Sequence, residues 1–90
     1  MQLGRDPAWA PRTAKAFADE LSISRRHGEL LVHDDGSLWL TEYREGTRHG
    51  TRINDAYLLP GIPHPLKDGD RLRLGLFTEA TVSLCGAEDS

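Results

Sequence analysis

Short runs in which apolar and polar residues alternate recur along the chain, and turn residues separate them. Residues 71–74 alternate arginine with leucine, and residues 81–84 alternate in the same way, so each run predicts a strand with one buried face. Residues 28–33 and 37–41 are β-favouring runs on either side of Asp34-Asp35-Gly36. An Asp-Gly step between two apolar runs predicts a β-hairpin.

The segments between these runs are short and rich in turn residues. Residues 3–7 predict an extended piece that must stop at Pro7, because proline removes a ladder donor and restricts the residue before it. Residues 51–54 predict a short strand, and the polar, glycine-containing residues 42–50 before it predict a loop. The prolines of residues 60–65 cannot continue a helix or a central strand, so this segment predicts an exposed connection.

Residues 8–18 are the least regular part of the chain. They contain several alanines and a proline and predict a loop with one helical turn at residues 13–17. Phe17 and Leu21 are expected to contact the core. Many short strands with turn signals between them, and no amphipathic helix, predict an all-β fold, a sandwich or a barrel, whose loops carry the function.

Composition narrows the class of protein. A chain of 90 residues suffices for one small domain, which we expect to span residues 1–85, with residues 86–90 as a C-terminal tail. The net charge of -3 argues against a general nucleic-acid binder, which normally carries a basic excess. One cysteine excludes an intrachain disulfide. No apolar stretch suits a signal peptide or a membrane span, so we expect a cytoplasmic location.

The stretch with the most distinctive candidate chemistry is residues 22–27, Ser-Ile-Ser-Arg-Arg-His. It places two hydroxyls, two guanidinium groups and an imidazole in one short segment. A phosphate group is best held by arginine forks with hydroxyl donors beside them, so this loop predicts a site for one defined anion. When these residues are considered alone, a solvated basic loop remains the alternative.

Four short motifs succeed one another along the chain. They are Gly4-Arg5, residues 24–27 (Ser-Arg-Arg-His), residues 49–54 (His-Gly-Thr-Arg-Ile-Asn) and residues 66–75 (Leu-Lys-Asp-Gly-Asp-Arg-Leu-Arg-Leu-Gly). In this order they resemble the Gly-Arg, Ser-x-x-His, Asn-Gly-Thr-x-Val-Asn and Leu-x-x-Gly-Asp-x-Ile-x-Leu-Gly elements of the forkhead-associated (FHA) domain family. The resemblance extends from Leu3 to about Leu84.

The resemblance implies a β-sandwich of short, mostly antiparallel strands, of the FHA/SMAD type, that binds phosphothreonine in an extended peptide. Arg5 would then hold the phosphate, Ser24 would donate its hydroxyl to it, and Arg25 would add a second cationic contact. The later loop would approach the phosphate or the peptide backbone. The phosphopeptide-binding residues implied in this way are Arg5, Ser24, Arg25, Thr47, Arg48 and His49.

Four further residues are expected to support this site. By the same resemblance, His27 would hydrogen-bond within its loop and fix the shape of that loop. Gly4 and Gly50 would permit tight backbone geometry, and Asn54 would stabilise a turn. Arg26 is not expected to share a phosphate with Arg25, because adjacent residues of an extended segment point to opposite sides. We expect Arg26 to be solvated or packed along a strand.

The function implied is that of a signalling adaptor downstream of Ser/Thr kinases, with phosphothreonine-containing proteins or peptides as partners. We expect no cofactor, no nucleic-acid partner and no membrane contact. Ser24 and His27 lack an orienting acid, so the chain is not expected to be an enzyme. The histidines and carboxylates show no regular ligand spacing, so no metal site is expected.

Two departures from the family pattern motivate an alternative function. His49 stands where the family has an asparagine that contacts the peptide main chain, and histidine differs from asparagine in reach and geometry. Family members also have about two more strands before the Gly-Arg element. The chain is then either excised from a longer protein or a shortened sandwich with an open sheet edge, and we favour the second because Met1 suits a true start. The alternative function is a phospho-independent interaction or self-assembly domain that associates through that edge.

Overall fold

A computed structural model of the chain describes residues 1–83, and all of the regular secondary structure in that range is β-strand. The strands are short, as the alternating runs predict. They are β1 (Gln2–Leu3), β2 (Gly28–Val32), β3 (Leu38–Glu42), β4 (Thr51–Ile53), β5 (Ala56–Tyr57), β6 (His64–Leu66), β7 (Arg71–Leu74) and β8 (Thr78–Thr81).

The strands form two four-stranded sheets. The first sheet has the order β1-β2-β3-β6 and the second has the order β5-β4-β7-β8. Every neighbouring pair is antiparallel. The predicted all-β fold with antiparallel strands is therefore confirmed.

Apolar side chains from both sheets meet in one core. In the first sheet Leu40 is almost completely buried, and in the second sheet Leu72 and Leu74 are buried while Arg71 of the same strand is exposed. Ile23, which precedes β2 in a loop, is also fully buried. Burial of such side chains contributes about 1.5–3 kcal/mol each relative to exposure, so the inner faces of β3 and β7 hold the sandwich together.

The hairpin of β2 and β3 forms where the Asp-Gly step predicts it. Leu30 pairs with Leu40 and Val32 with Leu38, and the backbone N–H of His33 donates to the carbonyl of Ser37 at 2.8 Å to close the turn. The predicted single helical turn at residues 13–17 is also present, since the N–H of Phe17 donates to the carbonyl of Thr13 at 3.1 Å. Phe17 packs against the core, as expected.

Two of the expected strand positions are wrong. The last described strand is β8 at Thr78–Thr81, not residues 81–84, because the turn after β7 is short and pairs Leu74 with Thr78. Residues 60–65 are not wholly a connection, since Pro65 lies within β6 and pairs with Trp39. A proline is tolerated there because β6 is an edge strand of the first sheet.

Other corrections concern the ends of segments and one side chain. The opening strand β1 ends at Leu3, well before Pro7, so proline is not what stops it. Leu21 does not contact the core, because its side chain is 74% exposed. Residue 84, the domain end expected at residue 85 and the tail expected at residues 86–90 lie outside the described residues.

In the described part of the chain, β1 and β8 are edge strands on the same side of the sandwich. A cavity of about 330 Å³ lies between the two sheets there. Its lining is mainly apolar. The lining residues, which we call the inter-sheet slot, are Leu3, Phe17, Leu30, Leu72, Leu74, Thr78, Glu79 and Ala80.

Candidate functional site

Ser24 lies where three loops meet at one end of the sandwich. The N–H of Arg5, just after β1, approaches the Ser24 carbonyl at 3.4 Å, and the N–H of Asp6 donates to the Arg25 carbonyl at 3.0 Å. From the loop before β4, the backbone N–H of Arg48 donates to the Ser24 Oγ at 3.2 Å. That hydroxyl therefore already accepts one hydrogen bond and keeps its proton for a ligand.

The first two of these loops are close together because residue 4 has no side chain. A Cβ atom at Gly4 would stand 2.1 Å from the carbonyl oxygen of Arg25. Such a contact with backbone atoms can be relieved only by moving one of the two loops. Gly4 therefore sets the distance between Arg5 and residues 24–27.

His27 joins the loop of Ser24 to the loop of Gly50. Its ring is fully buried. The Nδ1 atom accepts from the backbone N–H of Ser24 at 3.0 Å, which requires the proton on Nε2, and Nε2 then donates to the Gly50 carbonyl at 3.2 Å. Burial lowers the pKa of His27 from 6.5 to about 4, although the Gly50 carbonyl opposes this shift. At neutral pH the ring is therefore an uncharged link between two loops.

The guanidinium group of Arg5 is anchored at one end. Its Nε donates to the Ile23 carbonyl at 2.6 Å, directly beside Ser24. Within residues 1–83 its two Nη atoms make no hydrogen bond or ion pair, so four N–H donors remain for an anion. Arg5 also shares a surface depression of about 290 Å³ with Lys15. Lys15 is a cation that lies outside the four sequence motifs.

Arg25 and Arg26 both lie beside the Asp6 carboxylate. Arg25 Nη2 is 4.0 Å from Asp6 Oδ1, and Arg26 Nε is 3.8 Å from Asp6 Oδ2. The expectation that these arginines point to opposite sides is wrong, because residues 24–27 form a bend and not an extended strand. Arg26 also donates to the Tyr43 hydroxyl at 3.4 Å, and this contact raises the pKa of the Arg26 guanidinium.

The remaining predicted contact residues lie in the loop before β4. The Thr47 Oγ1 accepts from the backbone N–H of Gly50 at 3.0 Å, and the Arg48 side chain is exposed. The half-buried ring of His49 makes no hydrogen bond within the described part of the chain. Gly50 has φ of 82°, and a Cβ there would also collide with the ring of Tyr57 at 2.7 Å, so only glycine suits this position.

The family of this chain follows from its similarity to known proteins. Residues 1–75 match the FHA domain family. The chain belongs to the FHA family. FHA domains are protein-interaction modules and not enzymes.

A curated relative of this FHA domain is Protein FraH from Nostoc sp. (strain PCC 7120 / SAG 25.82 / UTEX 2576). The two are 39% identical over 61 residues, which cover 66% of this chain and 19% of FraH. The chain thus spans about a fifth of the length of that relative.

A groove borders the site of this FHA domain on the side of the β7–β8 turn. Its volume is about 470 Å³. Leu21, Leu76 and Phe77 supply its apolar surface, and Phe77 is 77% exposed. Its lining residues, which we call the side groove, are Asp19, Glu20, Leu21, Ser22, Arg48, His49, Leu76 and Phe77.

Ser22 fixes the turn that carries this apolar surface. Its Oγ accepts from the backbone N–H of Leu76 at 2.8 Å and donates to Glu20 Oε1 at 2.7 Å. None of the four sequence motifs includes Leu76 or Phe77. Two consecutive large apolar residues directly after the Gly75 of the last motif are the signal that could have revealed them.

Asn54 is the predicted support residue that the FHA fold does not bring to the site. It lies at the far end of β4, where its Nδ2 donates to Asp70 Oδ1 and its Oδ1 accepts from the Arg71 N–H, each at 2.9 Å. It therefore links two turns. It also adopts φ of 50°, which asparagine tolerates better than most residues.

Two further kinds of arrangement bear on function, a cluster of metal ligands and a membrane-spanning helix. Among residues 1–83, no group of three or more histidine, cysteine or acidic side chains is arranged to hold a metal ion. Within the same range, no helix has the length and hydropathy needed to cross a membrane.

Proposed function

We propose that this FHA domain binds phosphothreonine in protein partners and acts as an adaptor downstream of Ser/Thr kinases. The observation that carries the proposal is the Arg5 guanidinium, which is anchored at Nε beside Ser24 while its Nη atoms have no partner within residues 1–83. A fork of this kind suits two phosphate oxygens. The Ser24 hydroxyl would supply a further donor.

The charges around Ser24 favour an anion with more than one negative charge. The guanidinium groups of Arg5, Arg25 and Arg48 all come from the loops that meet at Ser24. Among residues 1–83, the carboxylate that the ion-pair geometry places beside these cations is that of Asp6. A phosphate dianion carries more charge than this single carboxylate, so it can compete with Asp6 for Arg25 and still gain contacts to the other cations.

The side groove gives the same proposal a means of selectivity. Its apolar residues Leu76 and Phe77 line the same groove as Arg48 and His49, and we expect the loop of those two residues to read the peptide after the phosphothreonine. An apolar side chain of the peptide would cover the exposed Phe77 ring. Asp19, which also lines the groove, would disfavour an acidic side chain at this position.

The location proposed for this function is the cytoplasm. Protein kinases and reduced thiols share that compartment, and a single cysteine is compatible with it.

Fluorescence anisotropy with matched peptide pools tests the proposal. One pool has a fixed phosphothreonine between degenerate positions, a second has phosphoserine, and a third has unphosphorylated threonine. We expect binding of the first pool to be strongest and the third to be undetectable. Equal binding of the phosphorylated and unphosphorylated pools would refute phosphate recognition.

Variants assign the phosphate contacts. Arg5→Ala should weaken binding of the phosphothreonine pool by about 10-fold to 100-fold, the loss associated with a hydrogen bond to a charged group. Arg25→Ala should weaken it less, because the Arg25 side chain is 72% exposed. Arg71→Ala is the matched control, since Arg71 is also exposed but lies beside Asp55, at the far end of its sheet.

Phe77→Ala should reduce selectivity among individual peptides and leave phosphate dependence intact.

A further inference from the structure

The outer edge of β8 is unpaired among residues 1–83. β8 pairs with β7 on one side, and it is the last strand of the second sheet. Within the described residues, no strand pairs with its other side. An open edge presents unpaired backbone N–H and C=O groups that can accept another strand.

The two faces of β8 differ in character. On the outer face, Glu79 pairs with Arg73, and Thr81 pairs with Arg71. On the inner face, Ala80 pairs with Leu72 at the edge of the inter-sheet slot. An added strand must therefore present small or apolar residues inward and polar residues outward.

We propose that the edge of β8 pairs with β8 of a second copy of this chain, antiparallel, with Ala80 opposite the partner's Ala80. Opposite residues in a pair of antiparallel strands lie on the same face of the sheet. A two-fold axis between the two copies of β8 must therefore place a residue opposite the same residue of the second copy. The two central residues of β8 are Glu79 and Ala80. An axis at Glu79 would place two carboxylates directly opposite each other, and like charges in that position destabilise pairing. The axis at Ala80 avoids this contact.

The Ala80 register is also complementary in charge. Glu79 of the partner subunit would lie opposite Thr81, whose own neighbour on β7 is Arg71. On the outer face of the joined sheet, the residues that lie side by side across the strands would then be Arg71, Thr81, the partner's Glu79 and the partner's Arg73. Both carboxylates of the dimer would therefore stand between arginines. The side chain of Arg71 is 63% exposed and can turn toward the new carboxylate.

The size of the edge sets the strength of association. Strand β8 has four residues, so the interface would be small, in the range of weak and transient contacts. We therefore expect a monomer in dilute solution and a reversible dimer in concentrated solution.

The dimer would have a consequence for phosphopeptide binding, and this consequence rests on the proposed function. β8 begins next to the phosphate site, since Leu76 bonds to Ser22 just before it. Antiparallel pairing would place the second phosphate site at the opposite end of the joined sheet. Such a dimer would bridge two phosphorylated partners and would not clamp one short peptide.

Sedimentation velocity over a concentration series, without any phosphopeptide, tests the dimer independently of the proposed function. Thr81→Glu places a carboxylate beside Arg71 in the monomer but opposite Glu79 of the partner subunit in the dimer. Because the change acts twice, we expect dimerisation to weaken about fivefold, and Thr81→Lys to strengthen it. High salt should reduce both effects. A monomer at every concentration, or equal effects of the two variants, would overturn the proposal.

Disulfide trapping tests the register. Opposite residues in antiparallel strands have Cα atoms about 4.5–5.5 Å apart, which a disulfide can span, whereas diagonal positions are too distant. With Cys85 replaced by serine, Ala80→Cys should give a covalent dimer in an oxidising glutathione buffer. Thr81→Cys in the same background should not. Equal trapping of the two variants would exclude this register.

Discussion

Lowering the pH should destabilise the domain through His27 before its carboxylates titrate. The pKa of His27 falls from 6.5 to about 4 in the folded protein because the ring is buried. Between these values the unfolded chain binds a proton that the native protein excludes. The contribution to stability is therefore complete above about pH 6.5 and is lost as the pH falls toward 4.

The expected loss can be worked out from the shift itself. Integration of the proton linkage between about pH 7 and pH 5 gives a loss of about 2 kcal/mol in the free energy of unfolding. Asp35, Asp70 and Glu79 have lowered pKa values because of their hydrogen bonds, to Ser37, to Lys67 and to Arg73 respectively. Their unfolded values are already near 4, so they add losses mainly below pH 5. The interval from pH 7 to pH 5 therefore separates the contribution of His27 from those of these three carboxylates.

Urea denaturation at a series of pH values measures this loss. His27→Gln removes the titrating ring, so its free energy of unfolding should change with pH by about 2 kcal/mol less than that of the natural protein over the same interval. An NMR titration of the ring provides an independent readout, with the proton expected on Nε2. Parallel pH profiles for the two proteins, or a His27 pKa near 6.5, would refute the reasoning.

The remaining predictions concern single substitutions. Gly4→Ala should lower the free energy of unfolding by about 2 kcal/mol in urea titration, because its Cβ would overlap the Arg25 carbonyl. Asp6→Asn should strengthen phosphopeptide binding about twofold to fivefold in anisotropy titration, because it removes a carboxylate that competes for Arg25; weaker binding would mean that Asp6 positions the arginine. Asn54→Ala should cost about 1 kcal/mol of stability in urea titration and leave phosphopeptide affinity unchanged, because its bonds link turns at the far end of β4.

The strands that could be predicted from the sequence are those with purely local signals. The β2–β3 hairpin depends on two β-favouring runs and one turn, and the alternation in Arg71–Leu74 gives the face and bounds of β7 directly. The position of β8 depends instead on the register in which the chain after β7 turns back and pairs with it. Because Leu74 pairs with Thr78, the strand begins three residues before its alternating pattern does.

The parts of the site that escaped prediction arise from contacts between distant segments. Arg25 and Arg26 both lie beside Asp6 because the chain bends there, and an assumption of extended backbone gives the opposite result. Leu21 is apolar but lines the side groove, where it is 74% exposed. Periodicity cannot distinguish a buried leucine from one that lines a binding surface.

If the proposed function holds, the construction of the site would separate phosphate capture from peptide selection. His27 bonds to Gly50 through a backbone carbonyl, and Ser24 accepts from the backbone N–H of Arg48. These links do not involve the side chains of residues 48 and 49, so their geometry does not depend on which side chains those positions carry. Histidine in place of the family's asparagine at position 49 can therefore change which peptides bind while the loops that hold Arg5 beside Ser24 remain in place. By this reasoning His49→Asn should alter the preferred peptide sequence and leave the pH-dependent stability of the domain unchanged, which the peptide pools and the urea titrations would show separately.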